Sequence, residues 1–222
     1  ASSIPTLGEL TPRDISNTAW AIATLLCENW PLRQAIAAQA IRNLSDFGPR
    51  DLGRIAWSFA HRAFRNLPLR QSIASSSIRP LAEFQLPNIA NLAWSFSTLS
   101  VHDATLLDAI SAEAIRKLTE FPPRGLSSLS WAFATLLDFD GPLLHAISAA
   151  SIPNLGEFVP QSLANTAWSC ARIRCHDDHL LASIAAQAIA TISDYTPQNL
   201  STIATAFAHL SVLVDELLEA IC

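Results

Sequence analysis

Apolar residues recur three and four apart in short blocks, and the blocks themselves repeat. Asn17-Thr18-Ala19-Trp20-Ala21-Ile22-Ala23-Thr24-Leu25 returns as Arg54-Ile55-Ala56-Trp57-Ser58-Phe59-Ala60 and as Asn91-Leu92-Ala93-Trp94-Ser95-Phe96-Ser97. It returns again around Trp131 and Trp168, so the tryptophans at 20, 57, 94, 131 and 168 are 37 residues apart each time. A sixth copy, Thr202-Ile203-Ala204-Thr205-Ala206-Phe207-Ala208, has Thr205 where Trp is due. A fixed period of this size marks an array in which each unit buries its apolar face against its neighbours. The 222 residues hold six such periods. The predicted fold class is all-α, an α-solenoid of two-helix repeats with about twelve antiparallel helices, spanning 1–222 as a single array.

Within each period the spacing predicts two helices. Helix A opens near Pro12, Pro49, Pro123, Pro160 and Pro197, with Leu86-Pro87 displaced by one in the third repeat. Proline suits the first helical position because its missing N–H would have no partner there. Thr11 and Asp14 stand at capping-box spacing. The A helices are predicted near 12–26, 49–63, 86–100, 123–137, 160–174 and 197–211. The B helices are predicted near 31–46, 68–83, 105–120, 142–157 and 179–194, with Asn or Asp in the preceding turn as caps. An aromatic closes each period: Phe47, Phe84, Phe121, Phe158 and Tyr195. Ile4, Leu7 and Leu10 match the back half of a B helix, and Leu217, Leu218 and Ile221 match the front half of one. Both ends are therefore expected to fall within a B helix, continued by further repeats or covered by a partner. Trp20 and its equivalents are of a type that stacks on bases, but with the Phe59 and Ile36 positions they are expected to form the core, because repeat units bury their hydrophobic faces against each other.

Half the residues are hydrophobic, ample for a continuous core, and no stretch is both long and uncharged enough to predict a membrane span. The net charge of −5 is unevenly distributed. Residues 1–80 hold nine Arg against five acids, while residues 81–222 hold five basic residues against fourteen acids. Thirteen of the fourteen basic residues are Arg, which suits forked contacts with phosphate or carboxylate. The four cysteines, at 27, 170, 175 and 222, form no CxxC pair and point to no disulfide framework.

One face of helix A is polar and variable. Positions 14, 17, 21 and 24 and their equivalents are three or four apart and share that face. At its centre stand Asn17, Arg54, Asn91, Ser128 and Asn165. Such a face is either ordinary solvated surface or a row of side chains reading one RNA base per repeat. Arg13, Arg42, Arg50 and Arg79 lie near the B-to-A edge and are candidate phosphate contacts. Acids four residues after Arg42, Arg79 and Arg116 are placed to form helical ion pairs that reduce this field. On charge, a phosphate-tracking edge is expected in repeats 1–4 and not in 5–6. Cys175-His176-Asp177-Asp178-His179 contains metal-ligand residue types, but its spacing matches no closed zinc pattern, and a loop with a helix cap is the expectation. No nucleophile–base pattern or phosphate-cradling glycine loop occurs, so neither catalysis, metal nor cofactor is expected.

Pro160-Gln161-Ser162-Leu163-Ala164-Asn165-Thr166-Ala167-Trp168, Pro197-Gln198-Asn199-Leu200 and the Ala-Trp-small-aromatic core of helix A resemble the octotricopeptide repeat family. These are helical-repeat proteins of algal and dinoflagellate organelles. The resemblance implies sequence-specific binding of single-stranded RNA in the chloroplast or mitochondrion, serving RNA stability, processing or translation. The alternative is a protein–protein scaffold or accessory subunit of a large organellar assembly, such as a ribosome or a photosynthetic or respiratory complex.

Overall fold

The computed structural model describes residues 8–25, 28–61, 64 and 66–210. Among them are eleven α-helices and no strand. The fold is the expected all-α repeat solenoid. The A helices are α1 (Pro12–Thr24), α3 (Pro49–His61), α5 (Leu86–Thr98), α7 (Pro123–Leu136), α9 (Pro160–Arg172) and α11 (Pro197–His209). The B helices are α2 (Trp30–Asn43), α4 (Leu67–Ile78), α6 (Ala104–Lys117), α8 (Gly141–Ser151) and α10 (Asp178–Ala190). The expectations for Ile4, Leu7, Cys27, Leu217, Leu218, Ile221 and Cys222 lie outside the described residues.

Local chemistry accounts for the helix boundaries. Thr11 and Asp14 form the capping box: the Asp14 N–H donates to Thr11 Oγ1 at 3.3 Å, and the Thr11 N–H donates to Asp14 Oδ2 at 3.1 Å. These bonds from Thr11 hold the Asp14 carboxyl below the usual carboxylate range. Every B helix opens on an Asx cap. Asn29, Asn66, Asp103, Asp140 and Asp177 each accept from the backbone N–H three residues on, at 2.9–3.0 Å. Each cap stabilises its helix by about 1 kcal/mol. The B helices end earlier than predicted and pass into 3₁₀ turns: Leu44–Asp46, Leu81–Glu83, Leu118–Glu120, Ile152–Glu157 and Ile192–Asp194. The aromatic that follows is buried in every repeat, from Phe47 to Tyr195.

α5, α7 and α9 also stop short of prediction. After α5, α7 and α9 the chain turns left-handed at Ser100, Leu137 and Arg174, with φ of 54°, 56° and 52°. The residue beyond closes the end: Val101 N–H donates to Phe96 O, Asp138 N–H to Phe133 O and Cys175 N–H to Cys170 O, at 2.8–3.0 Å. This is the Schellman closure, which uses the last carbonyls of the helix.

The described residues divide into two units, one through Glu113 and one from Ala114. In the first, α1 packs on α3 and α3 on α5, with α2 against α4 behind them. In the second, α7 packs on α9 and α9 on α11, and α10 packs on the turn after α8. Small residues allow the A helices to approach: Ala19, Ala23, Ala56 and Ala60 are buried, and a Cβ on Gly53 would stand 3.3 Å from that of Asn88. Ser16 Oγ donates to Asp51 Oδ1 across α1 and α3 at 2.7 Å. Ile36, Leu52, Ile55, Phe59, Leu92, Phe96, Leu129, Phe133, Leu163 and Phe207 fill the interior.

Candidate nucleic-acid interface

The expectation that the tryptophans belong to this core is wrong. Trp20 is 47 % exposed. Trp57, Trp94, Trp131 and Trp168 are half-buried at the surface. α1, α3, α7 and α9 each pack against a B helix and against at least one other A helix of their own unit. What remains open is a narrow stripe at positions 13, 17, 20 and 24. Down the repeats it reads Arg13-Asn17-Trp20-Thr24, Arg50-Arg54-Trp57-His61, Pro87-Asn91-Trp94-Thr98, Arg124-Ser128-Trp131-Thr135, Gln161-Asn165-Trp168-Arg172 and Gln198-Thr202-Thr205-His209. No residue of this stripe is buried.

Two of the four positions of the predicted polar face, 17 and 24, stand on this stripe, while 13 and 20 take the places expected for 14 and 21. Position 21 turns inward: Ser58, Ser95, Ala132, Ser169 and Ala206 are all buried. The buried hydroxyls are satisfied within their own helix, Ser58 Oγ donating to Arg54 O at 2.8 Å and Ser169 Oγ to Asn165 O at 2.7 Å. Position 20 takes its place on the surface. The spacing held the signal, since Trp20 is three residues from Asn17 and four from Thr24. Residue size argued the other way.

In the first unit, Arg50, Arg54 and Asn91 meet Trp20, Trp57 and Asn88 around a cleft of 250 Å³. Asn17 and Arg54 are brought together directly, the guanidinium donating to Asn17 Oδ1. Asn17 keeps its amide N–H groups and Arg54 its remaining donors for a ligand. Trp57 stacks on His61, with centroids 4.6 Å apart and planes 12° from parallel. Arg13, Arg42 and Arg79 are exposed but do not line this cleft. Arg42 turns back to Gln39 at 3.4 Å, and the carboxylate of Asp46 accepts from Ser45 Oγ at 3.2 Å, so this predicted ion pair is replaced by local bonds.

In the second unit, Ser128 and Asn165 are half-buried on the stripe and outside the cleft that forms there. That cleft measures 610 Å³. Trp131 and Trp168 stack in it, with centroids 6.2 Å apart and planes at 29°. Arg172, Arg174 and His209 bring positive or proton-donating groups, and Thr135 and Thr205 bring hydroxyls. Arg174 is a site residue that sequence reasoning missed, Arg172 and His209 stand at position 24 of the predicted face without having been singled out, and the cleft extends from the fourth repeat into the fifth and sixth, where charge counting argued against an edge. The reason is placement. The stripe carries no carboxylate in any repeat. Several acids of residues 81–222 lie at helix ends, where Asp103, Asp140 and Asp177 are committed to caps. Asp177 also accepts from Ser148 Oγ at 2.5 Å; burial pushes its carboxyl up, but these bonds outweigh burial and hold it low. The Cys175–His179 segment is thus a turn and a helix cap.

The Arg172–Arg174 turn is bracketed by two thiols. Their hydrogen bond favours the Cys175 thiolate and brings that thiol down to about 7, while the same bond and burial push Cys170 well up.

A family model described as RNA-editing substrate-binding complex 6 protein (RESC6) matches residues 32–222, and the chain belongs to that family. The match is to this family rather than to the octotricopeptide repeat family. No curated protein matches the chain.

Proposed function

We propose that this member of the RESC6 family is a non-catalytic RNA-binding module of an RNA-editing substrate-binding assembly. The observation that supports it best is the open stripe of helix A, where tryptophans stand among Arg and Asn side chains and no carboxylate intervenes. Indole faces stack unpaired bases regardless of sequence, and Arg neutralises phosphate. Asn17, Arg54 and Asn91 add forked or two-way hydrogen bonding to base edges. Arg13, Arg42, Arg50 and Arg79 supply backbone contacts. Ser128 and Asn165 carry the same row through the second unit. The family's name places its members in RNA editing, which favours an organelle and, within that class, the mitochondrion over the chloroplast. Among the described residues no helix is long and apolar enough to cross a membrane.

A second reading has its own observation. Leu25, Trp30 and Leu67 are exposed where α1 meets α2 and at the start of α4, and Leu137 and Phe139 are exposed between α7 and α8. Apolar side chains grouped at the A-to-B turns suit contact with a protein partner, so the module also serves as a scaffold within that assembly.

The test is titration of single-stranded RNA against salt. The RNA reading expects a steep loss of affinity as salt rises, and replacement of Asn17, Arg54, Asn91, Ser128 and Asn165 by Ala to weaken binding. Unchanged affinity in that variant, with partners retained after ribonuclease treatment of the native assembly, would leave the scaffold role alone.

A further inference from the structure

The tryptophan column stops one repeat early. Five A helices carry Trp at the same position, and in α11 the position is Thr205, an exposed residue on the rim of the larger cleft. Position 205 stands to Trp168 as Trp168 stands to Trp131, because α11 packs on α9 as α9 packs on α7. A sixth indole would therefore stand about as far from Trp168 as Trp131 does, 6.2 Å between centroids. Thr205 leaves that space open, and the resulting 610 Å³ lies within the range of small-ligand sites.

What surrounds the space indicates what fills it. One wall is an indole stack. Arg172 and Arg174, both exposed, and His209 supply donors at the rim. Arg174 occupies the left-handed position that closes α9, where a residue with a side chain is disfavoured against glycine. A flat aromatic group bearing an anion matches this combination. An aliphatic ligand would not use the indoles, and a bare anion would not use the apolar volume.

We propose that this cleft holds one unstacked nucleobase of a single-stranded RNA against Trp168, in the place of the missing sixth tryptophan, with Arg172 and Arg174 on the adjoining phosphate. The proposal rests on the RNA reading above and specifies where in the second unit a base is gripped. The stack supplies affinity without sequence choice, since every base has a π-face.

The test uses the whole chain and two probes, a short unstructured RNA of mixed sequence and heparin, a polyanion without bases. Thr205→Trp fills the space with the protein's own indole, and Trp168→Leu removes the platform. Each variant is expected to weaken RNA binding by about tenfold, read by fluorescence anisotropy. Heparin binding is expected to stay as in the wild type, which also shows that the variants are folded. RNA binding by Thr205→Trp as tight as wild type or tighter overturns the proposal, as does an equal loss for heparin. If wild-type protein itself ignores RNA at low salt, the RNA reading falls and this inference with it. If only the variants are without effect, the inference falls alone.

Discussion

The two clefts are variations on one stripe, and they differ in what their ligand-facing atoms can do. The first unit surrounds 250 Å³ with Arg50, Arg54, Asn88 and Asn91, a set rich in amides. Its groups are partly engaged with each other, Arg54 with Asn17 and Trp57 with His61. The second unit surrounds 610 Å³ with Arg172, Arg174 and His209 and lines it with no amide side chain. Amides discriminate base edges; an indole stack beside arginines grips base and phosphate without discriminating. Under the RNA role proposed above, the first cleft reads and the second holds. The contrast continues beneath the surface. Phe59 and Phe64 pack with centroids 5.1 Å apart, and Trp30 meets Phe64 edge-on at 4.7 Å. At the same positions the fifth repeat has Cys170 and Cys175, while α7 and α11 keep Phe133 and Phe207 at the first of them.

Three experiments sharpen this comparison. The largest effect is expected below the surface. Phe59→Ala should cost about 3–5 kcal/mol in urea unfolding, against roughly 1 kcal/mol for Cys170→Ala, because the first leaves a large cavity and the second a small one. Equal costs would mean that the two repeat ends are supported alike. Next is the division between reading and holding. Asn91→Ala should change the ranking of RNA sequences by about 1–3 kcal/mol, whereas Arg50→Ala and Arg172→Ala should weaken all RNAs together and each reduce the salt slope by about one. If Arg172→Ala also reorders sequence preference, the second cleft reads bases as well. The smallest effect concerns the thiols. Cys175 has a depressed pKa, so its thiolate grows in as pH rises through about 7. Alkylation by iodoacetamide, mapped by peptide, should show a midpoint there rather than near 9, while buried Cys170 stays slow. By the same sign, the stabilisation from holding that thiolate is present at alkaline pH and is lost as pH falls through about 7. A midpoint near 9 would mean that the two thiols do not share a proton as the geometry suggests.

Much of this protein was legible along the chain. The 37-residue step, the prolines and Thr11 at A-helix starts and the Asx caps of the B helices are encoded by neighbours a few residues apart, and local bonds suffice to express them. The aromatic before α3, α5, α7, α9 and α11 recurs at the same step, and Phe47, Phe84, Phe121, Phe158 and Tyr195 are all buried. Of the row Asn17, Arg54, Asn91, Ser128 and Asn165, Asn17 and Asn91 are exposed and the other three half-buried. Only packing decided how far helix A turns about its own axis. One residue corresponds to about 100° of rotation, so positions 20 and 21 compete for the surface, and the sequence pattern admits either. With neighbouring A helices in close approach through Ala19, Gly53 and Ala56, Ser58, Ser95, Ala132, Ser169 and Ala206 are buried and the tryptophan stands at the surface. That rotation moved five indoles from the expected core to the surface. Packing also gathered Arg172, Arg174 and His209 around Trp168, in repeats whose net charge had argued against a phosphate-tracking edge.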